Sequence, residues 1–208
     1  MCIRDSISVY EARIRGGATL AKTYPVDADL VCGVPDSGLA SAKGYSEESG
    51  IPFGLAFHKN SYVGRTFIKP TQKERESSVK IKLSVLESVV KGKRIVLVDD
   101  SIVRGTQLRE TTEFLYDSGA KEVHIRPACP PLVYGCKFLN FSRSSSEMDL
   151  ITRRVIARLE GTEDVSEEVL EQYTDPESEK YDQMVEEIRK ELNFTSLRFN
   201  RLDLSLIH

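Results

Sequence analysis

The chain has 208 residues, a formal net charge of −3 and 29% charged residues. Its length suits one core with a C-terminal addition, and its slight acidity offers no global basic field for a nucleic-acid partner. No apolar stretch approaches a membrane span, residues 1–10 hold no signal-peptide core, and Cys2, Cys32, Cys129 and Cys136 form neither a Cys-x-x-Cys pair nor a disulfide framework, so a reducing cytoplasm is the simplest compartment.

Residues 9–24 have helix-like composition, although each glycine of the Gly16-Gly17 pair costs a helix about 1 kcal/mol. Residues 29–34 predict a short apolar strand running into Pro35-Asp36-Ser37-Gly38. Residues 39–49 predict a helix closed by Gly50, and residues 53–57 a second strand. Residues 58–75 are polar, contain Gly64 and Pro70, and predict a long loop of the kind used as a lid or left disordered. Val79, Leu83, Leu86 and Val90 share one helix face, and Gly92 ends that predicted helix. Ile95 to Val98 read as a buried parallel strand. A helix over 106–118, ended at Gly119, and a strand over 122–128 follow. This alternation predicts an α/β fold with a doubly wound, mostly parallel sheet, its core spanning residues 7–145.

After Pro130-Pro131 the character changes. Residues 132–145 predict a loop-rich flap. Residues 146–160 predict a helix with Ser146 and Asp149 as a capping box. Residues 166–193 are acidic and helical in pattern, interrupted at Asp175-Pro176, with their charges on a solvated face. Residues 146–200 together predict a C-terminal helical extension.

The predicted strand Ile95–Val98 ends in Asp99 and Asp100, followed by Ser101-Ile102-Val103-Arg104-Gly105-Thr106. A loop opening onto a helix N-terminus offers free backbone N–H groups to a phosphate. Carboxylates at a strand's C-terminal end suit a ribose diol or Mg²⁺. The hydroxyls of Ser101 and Thr106, with the amides of Ile102, Val103, Arg104, Gly105 and Thr106, predict a phosphate cradle, and Gly105 permits close backbone approach. The Arg104 side chain fits phosphate or solvent equally well. Asp36-Ser37, the 58–75 loop and Asp99–Thr106 each follow a predicted strand, so all three converge at the carboxyl edge of the sheet. Alone, Pro35–Gly38 also fits a plain strand-to-helix turn capped by Ser37, with Asp36 shaping the turn. His58 reads as a bystander and His124 as a structural residue of a strand.

The Asp99–Thr106 loop resembles the phosphoribosyl-pyrophosphate (PRPP) loop of type I phosphoribosyltransferases. With Lys59-Asn60-Ser61-Tyr62-Val63-Gly64-Arg65-Thr66-Phe67-Ile68 and Gly33-Val34-Pro35-Asp36-Ser37-Gly38, it resembles the phosphoribosyltransferase half of the amidophosphoribosyltransferase family over roughly residues 7–200. That family opens purine synthesis. The resemblance implies that ammonia, taken from glutamine in the full-length enzyme, displaces pyrophosphate from PRPP to give 5-phosphoribosylamine. It implies that Asp99 and Asp100 address the ribose hydroxyls and a Mg²⁺ shell, with Ser37 as a further Mg²⁺ ligand. It implies that Tyr62 and Arg65 belong to a lid that closes over PRPP, Arg65 meeting the pyrophosphate, with Lys59 near a phosphate of substrate or inhibitor. Closure fits the chemistry, because water would capture an oxocarbenium-like ribosyl group in an open site. Ser61 replaces an Arg that some members carry.

The same resemblance implies inhibition by purine nucleotides through the 5′-phosphate pocket and a homo-oligomer in the full-length enzyme. Cys136 falls where some members have one ligand of a [4Fe–4S] cluster. A cluster needs four thiolates, so none is expected on this chain alone. Residues 1–6 and 204–208 do not resemble the family and read as non-native ends. The glutaminase domain is expected to be absent, and Cys2 lacks the sequence that would make it a glutaminase nucleophile. Two rivals remain. A non-enzymatic PRPP sensor would keep the phosphate loop without needing the Tyr62–Thr66 lid, and would carry a nucleic-acid surface. A salvage phosphoribosyltransferase would need a nucleobase hood, and residues 130–145 offer no obvious one.

Overall fold

Ile95, Val96, Leu97 and Val98 are fully buried, and the rest of the fold is laid against them. The computed structural model describes residues 3–4, 7–60, 83–135 and 147–205. In chain order, β1 (Ile3–Arg4) and β2 (Ile7–Ser8) form a small antiparallel pair ahead of α1 (Val9–Thr23). Then come β3 (Leu30–Gly33), α2 (Leu39–Ser49), β4 (Phe57–Lys59), β5 (Leu83–Val85), α3 (Glu87–Val90), β6 (Arg94–Asp99), α4 (Thr106–Asp117) and β7 (Glu122–Pro127). A 3₁₀ turn at Glu147–Asp149 leads into α5 (Ile151–Glu160), α6 (Glu167–Gln172), α7 (Glu179–Glu191), β8 (Ser196–Leu197) and α8 (Leu202–Ser205). Among the described residues no helix is long and apolar enough to cross a membrane.

Strands β3, β6, β7 and β8 are neighbours in that order in one parallel sheet. On the free side of β3, Phe53 makes a parallel bridge to Val31. The chain therefore builds to one side of β3 at Phe53 and to the other at β6. The strand order reverses between β3 and β6, and a ligand crevice opens beyond the carboxyl ends at such a reversal.

Alternate residues of each strand serve opposite faces. Val31, Val96 and Val98 pack with Leu20 of α1 and with Ala42 and Tyr45 of α2. Leu30, Cys32, Ile95, Leu97 and Ile125 pack with Leu108 and Leu115 of α4, Ile151 and Val155 of α5, and Ile188 of α7. Helices cover both faces, which explains why the strands read as unbroken apolar runs. The C-terminal extension is thus part of this core, and it also supplies β8 to the sheet.

Helices α1 and α2 meet backbone to backbone. A Cβ on Gly17 would stand 1.9 Å from the Ser41 carbonyl oxygen, and one on Gly44 would stand 1.9 Å from that of Ile14. Gly16 faces open space. The glycine that weakens the helix by propensity at position 17 therefore permits its packing.

Three sequence expectations change. The helix predicted through Val79, Leu83, Leu86 and Val90 is confined to Glu87–Val90 among the described residues; Val79 lies outside them. Leu83–Val85 instead pairs antiparallel with Phe57–Lys59, because β4 offers the backbone a partner that local periodicity does not reveal. The strand predicted at residues 53–57 begins at Phe57, with Phe53 reduced to a bridge. The helix predicted from Ser146 starts as the 3₁₀ turn and becomes α-helical at Ile151, with Leu150 at the cap position and no side-chain cap. Ser146 lies outside the described residues. The first helical amide, Ile151 N–H, is satisfied by the Val103 carbonyl at 2.9 Å, so a tertiary contact replaces the expected local cap.

His124 is structural, as expected. Arg126 Nη1 donates to Ser196 Oγ at 3.0 Å, and Ser196 Oγ lies 2.9 Å from His124 Nδ1. Glu122 lies 3.0 Å from His124 Nε2. The serine proton then goes to Nδ1, which assigns a neutral imidazole donating from Nε2. Burial, and then the Arg126 charge against the pull of Glu122, holds the His124 pKa below its usual value.

Two outcomes follow. Gly17→Ala should cost roughly 1–3 kcal/mol or more of unfolding free energy, because the obstacle is backbone. Gly16→Ala should add up to about 1 kcal/mol. Urea titration of both checks this; equal effects would deny the close crossing. For His124, the unfolded chain binds the proton more tightly than the folded one, so stability is present above the ordinary histidine range and is lost as pH falls through it. His124→Gln should narrow the difference in urea midpoint between about pH 7.5 and about pH 5.5. An unchanged difference would exclude the imidazole as the acid-sensitive group.

Candidate functional site

The strands bordering the reversal end at Gly33 and Asp99, and the register places Gly33 opposite Val98. The acidic pair is held by its backbone: Ala128 N–H donates to the Asp99 carbonyl at 2.8 Å and Cys129 N–H to the Asp100 carbonyl at 3.0 Å. Asp100 N–H donates to Asp99 Oδ1, and Ser101 N–H to Asp100 Oδ1, each at 2.8 Å. Both carboxylates are partly buried. Neither makes an ion pair among the described residues. Burial first, and the Asp100 carboxylate second, pushes the Asp99 carboxyl well above the ordinary carboxylate range.

The loop after Ser101 is anchored by Ile102, which is 2% exposed. The backbone N–H groups of Ile102, Val103, Arg104, Gly105 and Thr106 have no hydrogen-bond partner among the described residues. Gly105 takes φ +81° at the N-cap of α4, with no side-chain cap. A β-carbon there would both strain the backbone and stand 2.7 Å from Ile151 Cδ1. Among the described residues helix α4 therefore opens without a cap, its positive end next to a run of unpartnered amides. Thr106, its first residue, is exposed, and Ser101 is partly so.

The Arg104 side chain takes the solvent side of the two alternatives the sequence allows, 59% exposed. Its guanidinium pairs with Asp149 at 3.2 Å, while its carbonyl accepts from Arg154 Nη2 at 2.9 Å. Asp149 and Arg154 lie some fifty residues away in sequence, so no local pattern pointed to them.

The Gly33–Gly38 turn folds onto the end of β6. Val34 N–H donates to the Val98 carbonyl at 2.9 Å, and Gly38 N–H to the Val34 carbonyl at 2.9 Å. A Cβ on Gly38 would stand 2.4 Å from the Val98 carbonyl oxygen. The Pro35–Asp36 peptide is cis. Ser37 is not the helix cap; Gly38 holds that position without a side-chain bond. The Asp36 carboxylate pairs with the ammonium of Lys59, the last residue of β4, and ties the turn to the stalk formed by β4 and β5. Complementary charge was the one sequence signal for this pair, and a separation of 23 residues hides it. His58 is exposed on that stalk, as a bystander would be. Tyr62, Arg65 and Cys136, with the lid predicted at 58–75 beyond Asn60, lie outside the described residues. Cys32 is fully buried, which raises its thiol pKa; burial and the nearby Asp100 also raise that of Cys129.

The sequence profile of the phosphoribosyl transferase domain matches residues 10–129. The amidophosphoribosyltransferase of Methanocaldococcus jannaschii is 56% identical over 134 residues, 64% of this chain and 28% of that protein. The one from Bacillus subtilis is 45% identical over 165 residues, 79% of this chain and 33% of that protein. The solved structure of glutamine PRPP amidotransferase from B. subtilis, complexed with ADP and GMP, superposes with a TM-score of 0.74. It is 40% identical and covers 97% of this chain and 38% of that one. The chain thus spans about a third of the length of these relatives. With a profile match covering more than half of the sequence, the chain belongs to the phosphoribosyltransferase family.

Proposed function

We propose that this chain performs the phosphoribosyl-transfer half of an amidophosphoribosyltransferase reaction. Ammonia attacks C1 of PRPP, the bond from C1 to the pyrophosphate oxygen breaks, and the nitrogen sheds a proton to give neutral 5-phosphoribosylamine. The observation that carries this reading is the run of amides at 102–106 without partners among the described residues, beside Asp99 and Asp100 at the strand reversal. Relatives named for that reaction are 45% to 56% identical to this chain over most of its length.

In this reading the 5′-phosphate sits on the amides of Ile102 to Thr106 with the hydroxyls of Ser101 and Thr106, at the positive end of α4. Asp99 and Asp100 accept from the ribose hydroxyls. The pyrophosphate lies toward the Gly33–Gly38 turn and Lys59, with Tyr62 and Arg65 closing from the lid. Ammonia is already a nucleophile, so positioning and charge stabilisation suffice and no nucleophilic side chain is required.

Adjacent carboxylates without a counter-ion, one of them resisting ionisation, fit a hard divalent cation. Among the described residues no group of three or more His, Cys, Asp or Glu could hold a metal. Asp99, Asp100 and Ser37 would therefore supply few ligands, leaving the rest to substrate oxygens and water, as Mg²⁺ prefers. When bound, Mg²⁺ offsets the charge that develops on the leaving pyrophosphate. Purine nucleotides carry a 5′-phosphate that the same loop would accept, and the ADP and GMP of the B. subtilis complex support such inhibition. Glutamine as the nitrogen source and a homo-oligomeric assembly belong to the proposed full-length enzyme.

The test is release of pyrophosphate from PRPP by this 208-residue chain with Mg²⁺ and ammonium. Release with ammonium and none with glutamine is expected. No release with either, together with no PRPP binding, would overturn the reading. Asp99→Asn combined with Asp100→Asn should weaken Mg²⁺–PRPP binding about a hundredfold, since each hydrogen bond to a charged group is worth roughly 1.5–3 kcal/mol. The double variant should keep its melting temperature, because it relieves repulsion in a partly buried pair. Calorimetric titration reads the affinity; an unchanged value would remove the acidic pair from the site.

A further inference from the structure

We propose that the C-terminal helices hold the 102–106 loop in its anion-binding form, with Arg154 of α5 as the positioning residue. This rests on reading that loop as the seat of the 5′-phosphate.

Two consecutive carbonyls of the loop are gripped from the same side. The Val103 carbonyl accepts from Ile151 N–H at 2.9 Å, and the Arg104 carbonyl accepts from Arg154 Nη2 at 2.9 Å. In a planar trans peptide the C=O and the following N–H point in opposite directions. Drawing both carbonyls toward α5 therefore turns the N–H groups of Arg104 and Gly105 away from it. Those amides are successive and have no partner among the described residues. Successive amides facing one way make an anion-binding concavity.

Arg154 is well placed to set this geometry. Its Nη1 donates to the Asp149 carbonyl at 3.1 Å, and the Asp149 carboxylate in turn holds the Arg104 side chain. Glu191 of α7 lies 3.7 Å from Arg154 Nη2 and also pairs with Arg158 at 2.5 Å. One guanidinium thus joins the loop, the 3₁₀ turn and two helices. The Arg154 side chain is 38% exposed, so it adds little to the apolar core. All of its partners except Arg104 lie beyond residues 10–129 that match the family profile. The extension therefore does for the loop what the matched region does not do alone.

The test uses the full chain with Arg154→Ala, Arg154→Lys and Arg158→Ala. Two ligands are titrated: ribose 5-phosphate, which has only the 5′-phosphate, and Mg²⁺–pyrophosphate, which has none. Arg154→Ala should weaken ribose 5-phosphate about tenfold, the loss of one charge-assisted bond, and leave pyrophosphate affinity unchanged. The Ile151 amide, bonded to the Val103 carbonyl, should exchange hydrogen faster in that variant. Arg154→Lys should lose less, because one ammonium can replace some of the carbonyl contacts. Arg158→Ala should change neither affinity. Should Arg154→Ala fail to fold, Arg154→Lys carries the comparison of the two ligands. Equal loss for both ligands would show a merely structural role and overturn the proposal. Ribose 5-phosphate binding that survives Arg154→Ala would overturn the clamp alone. A wild-type chain that does not bind ribose 5-phosphate would sink the phosphate-loop reading and this proposal with it.

Discussion

The parallel pairing of β3 with β6 is the contact on which the rest of the site depends. Its register sets Gly33 beside Val98, and one further bond, from Val34 N–H to the Val98 carbonyl, carries the pairing past the end of β3. The turn at 33–38 and the acidic pair at 99–100 therefore leave the sheet at the same level. A one-residue slip would exchange the faces of every β6 side chain, putting Val96 and Val98 where Ile95 and Leu97 belong. Burial of both faces forbids that slip. The same apolar packing that stabilises the sheet thus fixes the separation of two polar loops.

The loops themselves are held by polar contacts that reach far along the chain. Glycine at 38 lets the turn lie against the Val98 carbonyl, and glycine at 105 lets the 102–106 loop reverse against Ile151 and Leu192. What these contacts leave over is informative. Among the described residues, backbone amides at 102–106 have no partner and two carboxylates stand together without a counter-ion. A folded chain normally pairs such groups. In the proposed function they are the groups that meet the anionic sugar and its cation. The Asp36–Lys59 pair shows a related economy, since it occupies a lysine beside the place proposed for pyrophosphate.

The C-terminal segment changes meaning once its contacts are known. By composition it is an acidic helical tail. In the fold it supplies Ile151, Val155 and Ile188 to the core, β8 to the sheet and Arg154 to the 102–106 loop. Its exposed charges remain largely a solvated face, as in the pairs of Arg189 with Glu186 and of Lys190 with Glu187. Such exposed pairs contribute little to stability.

By itself the sequence determined the alternation of strands and helices, the helix bounds set by Gly50 and Gly119, the buried strand Ile95–Val98 and the loop from Asp99 to Gly105 that opens onto a helix. These are local properties: side-chain period, a left-handed glycine at a helix end, and amides left free at a helix start. Only the tertiary structure decided the pairing of Leu83–Val85 with β4, the start of α5 at Ile151 and the direction of Arg104. It alone joined Asp36 to Lys59 and Arg154 to the Arg104 carbonyl. Each of these depends on a partner 20 or more residues distant. Hydrogen-bond and ion-pair partners at that range are chosen by the packed sheet, because no local period in the chain encodes which distant group will be brought alongside.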